Sequence, residues 1–329
     1  MTVFSPIPPT PGKAALDANE EIEACPSCDS KKIGFFLWGR SFDHEAWYSY
    51  YRCLSCSLVF VNPRVCAQKQ RVSEITVLRN ISLREYFFRK TGLDRMEFRF
   101  NIVGPTMRML PPITISGYRR RWLDIGCAIG NLLEEVQRCG YESCGLEPNT
   151  SMVEWLMRNR SHIHCTPGFL SDLPEGQLYD IISADNVLEH LNEPVNFITS
   201  IHQRLTKDSL LVLRVPNFDN ITRLVIQKMG RLQTSYIICP DGHPCNYSRR
   251  SLQALLERCG FRVIHVMEHL MLSYPLKNIL GRCFLRWPIL IRKGAEMFYP
   301  ISFIFDRLIP RGGTSPFLPG RNESCCLQF

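Results

Sequence analysis

Two cysteine pairs, Cys25-Pro-Ser-Cys28 and Cys53-Leu-Ser-Cys56, stand 24 residues apart, slightly more than the usual gap of a zinc ribbon but in the same form. Each CxxC turn can place two thiolates on one side of a tight loop. Two such loops face to face supply a closed tetrahedral S₄ site, and Zn²⁺, redox-silent and partial to thiolate, suits it. With all four positions taken by protein there is no place for water, so the expected role is structural. A pair of reactive dithiols is the competing reading.

The second concentration of chemistry is Arg121 to Asn131, RWLDIGCAIGN, an apolar strand running into a tight turn and then into a helical stretch, LLEEVQRC. Small residues at Gly126, Ala128 and Gly130 let the backbone approach a bound nucleoside closely. Asp124 ends the strand, and Glu147, 21 residues after Gly126, closes the next strand in GLEPN. A carboxylate in that place can accept both hydroxyls of a ribose. A dinucleotide enzyme normally carries G-x-G-x-x-G and directs a helix N-terminus at a pyrophosphate. Asp124 would face a pyrophosphate unfavourably but suits a cationic amino group.

These residues need elements to hold them. The chain has 329 residues, 45% hydrophobic and 21% charged, with 22 prolines, the composition of a folded chain with one large domain and a smaller one. Residues 1–20, rich in Pro, Thr and Ala, read as a flexible tail. Residues 21–65 hold the cysteine pairs among short aromatic runs (IGFFLW, WYSYY, LVFV) that read as strands. Over 66–118, Val72, Ile75, Leu78, Ile81, Leu83, Tyr86 and Phe87 recur at helical spacing until Pro105, Pro111 and Pro112 interrupt it, which suggests a helical connector or lid. From 119 to 329, apolar runs (RWLDI, SCGLE, YDIIS, SLLVLRV, FRVIHV) alternate with helical stretches at 131–139, 150–160, 193–205 and 250–259, predicting an open, mostly parallel α/β sheet. Gly140 and Gly260 read as glycines just past helix ends.

The turn resembles the first motif of class I S-adenosylmethionine-dependent methyltransferases, an acid two residues before G-x-G-x-G, with Ala128 replacing the middle glycine. The resemblance extends over about 119–265. Tyr179–Ser183 followed by Ala184-Asp185-Asn186-Val187-Leu188-Glu189-His190-Leu191 looks like the family's fourth strand and turn. Leu211–Asn217 looks like the fifth strand, and His243–Phe261 is similar to the segment that introduces the last helix and sixth strand. It implies a Rossmann-like methyltransferase sheet with helices on both faces, preceded by a zinc-binding β module and a helical connector. It also implies S-adenosylmethionine as cofactor, held by Asp124, Gly126, Ala128, Gly130 and Glu147, with Phe169 flanking the adenine and Asp185 on the cofactor side.

Methyl transfer requires alignment and, where the acceptor is protonated, a base; histidine is the natural one near neutral pH. His190, beside Glu189, and His243, in Asp241-Gly242-His243-Pro244, are the candidates, each weighed against a purely structural role. The cysteine module ending in Val61-Asn62-Pro63-Arg64, joined to this domain, resembles zinc-containing sugar C-methyltransferases, whose Glu-His pair matches Gly242-His243 with glycine in place of the acid. The triplet Leu188-Glu189-His190 resembles quinone-precursor O-methyltransferases. A small-molecule acceptor is therefore expected. The alternatives are an RNA acceptor, for which Arg119-Arg120-Arg121 speaks, and a non-catalytic nucleoside-binding protein.

The net charge of +8 permits an anionic partner without demanding one, nucleic acid is not favoured, and no segment calls for an obligate protein partner. Residues 277–293, KNILGRCFLRWPILIRK, carry five positive charges among large apolar residues, within a basic apolar stretch near 277–309; this segment could lie on an anionic membrane surface or pack with snorkelling side chains. The N-terminus has prolines and acids where a signal peptide has a basic start and an apolar core, and no run of 18 uncharged apolar residues occurs. The sequence reads as cytoplasmic, with a peripheral membrane contact open. Fifteen cysteines, an odd count, fit that compartment better than a paired disulfide framework; the eleven outside the two motifs are expected mostly as small buried apolar residues.

Overall fold

The structure, a computed structural model, describes residues 20–40, 47–64, 102–110, 117–219 and 242–267, and the strand at 324–328. The tail at 1–19, most of the connector at 66–118 and the basic segment 277–293 lie outside the described residues. The first three strands are β1 (Ile33–Arg40), β2 (Trp47–Cys53) and β3 (Val59–Val61), followed by a short helix α1 (Gly104–Met109). The larger unit runs β4 (Arg121–Ile125), α2 (Asn131–Arg138), β5 (Glu142–Glu147), α3 (Thr150–Asn159), β6 (His164–Pro167), β7 (Tyr179–Asp185), α4 (Pro194–His202), β8 (Leu205–Arg214), β9 (Cys245–Asn246), α5 (Arg249–Arg258), β10 (Arg262–Met267) and β11 (Ser324–Gln328).

Seven strands form one parallel sheet in the order β10-β11-β8-β7-β4-β5-β6. Alternation along the strands explains why it is covered on both sides. Leu123, Ile182 and Leu211 pack in the cluster that also takes Ile198 and Ile201 of α4 and Leu252, Leu255 and Leu256 of α5. Their neighbours Trp122, Ile181 and Val212 turn the other way, against Leu132 and Val136 of α2 and Ile102 and Val103 ahead of α1. The expected Rossmann-like sheet with helices on both faces is thus the one observed, and chain order reverses between β4 and β7, the place where open parallel sheets bind ligands.

Helix ends follow local chemistry. The Asn149 side chain accepts from the amides of Ser151 and Met152 to start α3, and Ser248 accepts from Ser251 to start α5. Gly140 and Gly260 follow the last turns of α2 and α5 with φ of 87° and 89°. Two boundaries differ from the sequence reading. Pro105, read as an interruption, sits in the first turn of α1, where its missing N–H has no partner to lose and its ring φ already suits a helix. The stretch 193–205 stops as a helix at His202, and Leu205 already pairs with Tyr179 as the start of β8: sheet pairing overrides the local helical pattern there.

β1, β2 and β3 form an antiparallel sheet whose fourth strand is β9, from the far end of the chain. The module read as residues 21–65 is therefore completed by Cys245 and Asn246. The Val61 amide donates to the Pro244 carbonyl at 2.9 Å, and the Ser27 hydroxyl to the Ser251 carbonyl at 2.9 Å. At the module's end, Arg64 bonds Glu20 and Glu193 at 3.1 Å each and reaches the Asn192 carbonyl, which ties the Val-Asn-Pro-Arg stretch to the turn before α4. No helix among the described residues is long and apolar enough to cross a membrane.

Candidate functional site

The two CxxC turns have the same build. Asp29 donates its amide to the Cys25 carbonyl at 2.9 Å, and Ser57 to the Cys53 carbonyl at 3.0 Å. Both donors have left-handed backbone, with φ of 62° and 72°. The Ser30 and Ser55 hydroxyls bond each other at 2.8 Å across the pair. Cys25 Sγ lies 3.5 Å from Cys56 Sγ, and Cys28 Sγ 3.6 Å from Cys53 Sγ; all four sulfurs fall within 4.8 Å of one another. A tetrahedral zinc site with bonds of ~2.3 Å has sulfur–sulfur edges of about 3.8 Å, so the cluster fits the ion with little adjustment. Hydrogen bonding from Cys25 above all pulls the Cys56 thiol down despite its burial, which favours the deprotonated sulfur that a metal requires.

At the turn after β4, backbone and carboxylate lock together. The Gly126 and Cys127 amides both donate to the Leu146 carbonyl, at 2.7 and 3.2 Å. Glu147, buried at the end of β5, accepts from the Ala128 amide on Oε2 and the Asn149 amide on Oε1, each at 2.8 Å. A carboxylate oxygen has room for a second donor, so both remain able to take a ribose hydroxyl. Burial pushes the Glu147 pKa upward while the two amides oppose it. Gly126 and Gly130 have φ of 72° and 74°, and a Cβ on Gly126 would stand 2.6 Å from Val187 Cγ2. Only glycine meets both conditions at 126.

Ala128 occupies the middle position with φ of 50°. A non-glycine residue there costs roughly 1 kcal/mol, partly offset by glycine's larger entropy loss on folding. Ala128→Gly is therefore expected to raise stability by about 0.5 kcal/mol, read as a shift in the urea midpoint at constant m.

Asp124 is buried and accepts from the Ser183 hydroxyl at 2.7 Å; that hydroxyl in turn accepts from Trp122 Nε1 at 2.8 Å. Desolvation, only partly opposed by Ser183, raises the Asp124 pKa to about 8. The folded state thus holds this proton more tightly than the unfolded chain does. Its stabilising effect is complete below the ordinary carboxylate range and is lost as pH rises through about 8. Asp124→Asn should accordingly gain stability relative to the parent between pH 5 and pH 9 without cofactor; parallel pH profiles of the two proteins would refute this.

Asp185, at the end of β7, forms a two-pronged ion pair with Arg214 of β8, so its carboxylate is already engaged. Phe169, half-buried after β6, has its amide held by Asp172 Oδ2 at 2.7 Å, which keeps this segment beside Glu147 through the Gly168 amide on the Glu147 carbonyl at 3.0 Å.

His190 and His243 lie together, ring centroids 4.7 Å apart and nearly perpendicular. His190 Nδ1 is 2.6 Å from the Gly242 carbonyl oxygen; a carbonyl only accepts, so Nδ1 carries the proton and Nε2 the lone pair. Burial lowers both pKa values, that of His243 to about 4 with help from His190, leaving two neutral imidazoles at pH 7. Glu189 joins them, with ligand atoms of all three residues within 4.8 Å of one another. The carboxylate missing at Gly242 is thus matched by one from the opposite segment. Val187, three residues before His190 in the chain, packs over Gly126.

Sequence reading missed Ser183, Asn149 and Arg214 as supports of Asp124, Glu147 and Asp185. Only Ser183 left a signal, as a hydroxyl in an otherwise apolar strand. Of the other cysteines, Cys127, Cys165 and Cys245 are buried, and Cys139, Cys144 and Cys259 partly so, as expected of packing residues; the side chains of Cys66, Cys239, Cys283, Cys325 and Cys326 lie outside the described set.

Curated relatives include the tRNA U34 carboxymethyltransferase of Aeromonas hydrophila, 25% identical over 177 residues, 50% of this chain and 51% of that one. That of Cronobacter sakazakii is 26% identical over 172 residues, 49% and 50%. The chain spans about half the length of these relatives. Among solved structures, a SAM-dependent methyltransferase from Archaeoglobus fulgidus is 24% identical with a TM-score of 0.39, covering 52% of this chain and 68% of that one. The plantazolicin methyltransferase BpumL in complex with SAH is 14% identical with a TM-score of 0.44, covering 58% and 74%. The family model described as a methyltransferase domain matches residues 96–266, more than half of the chain, and with the parallel sheet and its glycine turn in place the protein belongs to that methyltransferase family.

Proposed function

We propose that the protein transfers a methyl group from S-adenosylmethionine to a small-molecule acceptor whose nucleophilic atom is activated at the His190–His243 pair, with a structural zinc ion in the four-cysteine module. The observation that carries the reading is two imidazole rings 4.7 Å apart, one, on the segment after β7, held by the Gly242 carbonyl at 2.6 Å, in a fold whose glycine turn after β4 is bonded to Glu147. The cofactor supplies an activated methyl on a sulfonium. Glu147 holds the ribose, Asp124 faces the amino-acid end, Phe169 flanks the adenine, and the imidazole lone pairs lie where an acceptor proton must be taken or its oxygen held.

A keto sugar or a quinone-like ring suits this arrangement, since each presents an ionisable O–H or C–H beside the carbon or oxygen to be methylated. The curated relatives named for tRNA U34 favour a second reading, in which the acceptor is a nucleotide of an RNA. Tritiated methyl donor offered to keto-sugar nucleotides, catechols and total RNA separates them. Label in a small molecule that disappears with His243→Ala is the expected result; label in RNA alone would overturn the small-molecule assignment.

A further inference from the structure

Glu189 is the least explained polar group in the fold. It is 2% exposed, and neither carboxylate oxygen has a hydrogen-bond partner among the described residues. A buried, unsatisfied carboxylate is costly, typically by several kcal/mol when charged. The neighbouring cation, Arg214, is occupied by Asp185, and the groups around Glu189 otherwise include the buried Tyr247 phenol. What stands closest in chemical terms are His190 and His243, whose ligand atoms lie within 4.8 Å of each other and of the carboxylate.

We propose that Glu189, His190 and His243 form a divalent-cation site of two imidazoles and one carboxylate, separate from the four-cysteine site and on the acceptor side of the methyl-transfer centre. The donor set is that of open metal sites, which leave positions for a ligand oxygen. His190 shows the accompanying arrangement of a metal-ligating histidine: its Nδ1–H is held by a backbone carbonyl, that of Gly242, at 2.6 Å, which presents Nε2 as the lone pair. The same carbonyl belongs to the residue before His243, which holds the two segments together at the ring pair. A cation here would satisfy Glu189 and bind an acceptor through oxygen, which narrows the acceptor to a compound with a hydroxyl or enolisable carbonyl. The inference rests on the reading of this pair as the acceptor side of the site, and with the cation in place the acceptor is activated by its oxygen binding the metal rather than by direct proton transfer to an imidazole.

Mn²⁺ is the probe, because as a hard cation it does not compete for four thiolates. Zinc-loaded full-length protein titrated with Mn²⁺ and followed by electron paramagnetic resonance should bind one Mn²⁺ per chain, with nitrogen modulation from two imidazoles in the echo spectrum. Glu189→Gln and His243→Asn should each weaken that binding at least tenfold while zinc stays at one per chain. Absence of bound Mn²⁺, or bound Mn²⁺ without imidazole nitrogen, overturns the site, and the wild-type spectrum decides even where a variant does not fold. Calorimetry with S-adenosylmethionine on the same preparation keeps the two readings apart. Cofactor binding without Mn²⁺ sinks the cation site alone, and Mn²⁺ binding without cofactor binding sinks the methyl-donor assignment.

Discussion

Cys53→Ser, or a chelator that strips the proposed zinc ion, is expected to loosen the four-cysteine module and the His243 segment together. Metal-binding free energy in small structural zinc sites is folding free energy, on the order of 10 kcal/mol in isolated peptides. The thiolates sit where the module meets the larger unit: Cys25, Cys53, Cys56, Leu58 and Phe60 share a core with Cys245, Tyr247 and Leu252, whereas Leu37, Tyr50, Val59 and Val61 pack in a separate cluster on the module with Phe218. β9 is hydrogen-bonded to β3, and His243 is two residues before β9. Loss of the four thiolates therefore removes the strand against which residues 244–246 are held. Hydrogen exchange should show faster uptake at 47–61 and at 245–247 in the same variant, while the amides of β4 and β5, buried on the far side of β7, keep their protection. Zinc-free protein with unchanged exchange at 245–247 would mean that the module folds and acts independently of the catalytic sheet.

The second large effect is expected at Glu147. Glu147→Ala removes the proposed acceptor of the ribose hydroxyls and leaves the Ala128 and Asn149 amides, now bonded at 2.8 Å each, without partners. Hydrogen bonds to a charged group contribute about 1.5–3 kcal/mol each, and the loosened turn adds to the loss. S-adenosylmethionine affinity should fall about a hundredfold or more, equivalent to about 2.7 kcal/mol, as measured by calorimetry. Glu147→Gln, which keeps one acceptor oxygen, should fall by less, whereas a variant with a loss below about threefold would place the ribose elsewhere. Because Asn149 also caps α3, the Ala variant is expected to lose some helix stability as well. A thermal melt run beside the titration separates that loss from the loss of binding.

Taken residue by residue, legibility follows how local the determining interaction is. The two CxxC turns were readable because ligand spacing within a turn is a covalent constraint, and the matching Asp29 and Ser57 conformations are the same local solution reached twice. The turn from Asp124 to Gly130 was readable for the same reason: left-handed backbone at 126, 128 and 130 selects small residues at fixed offsets. Strand and helix periods marked the parallel sheet, since residues 121–125 and 179–183 alternate between two buried faces that only a doubly covered sheet provides.

What the sequence could not reveal are the meetings between distant segments. That β9 would complete the cysteine module's sheet, that Ser183 would hold Asp124, and that Glu189 would stand with His190 and His243 all depend on pairing across 50 residues or more, and no local pattern encodes such a pairing. Sequence alone determined where the two CxxC turns and the glycine turn fall and the class of the fold, because each rests on spacing within one or two elements. Tertiary structure decided that these are not separate parts: pairing β9 with β3 puts Cys25, Cys53 and Cys56 in one core with Cys245, Tyr247 and the helices of the parallel sheet, because only burial shared by distant segments can join them.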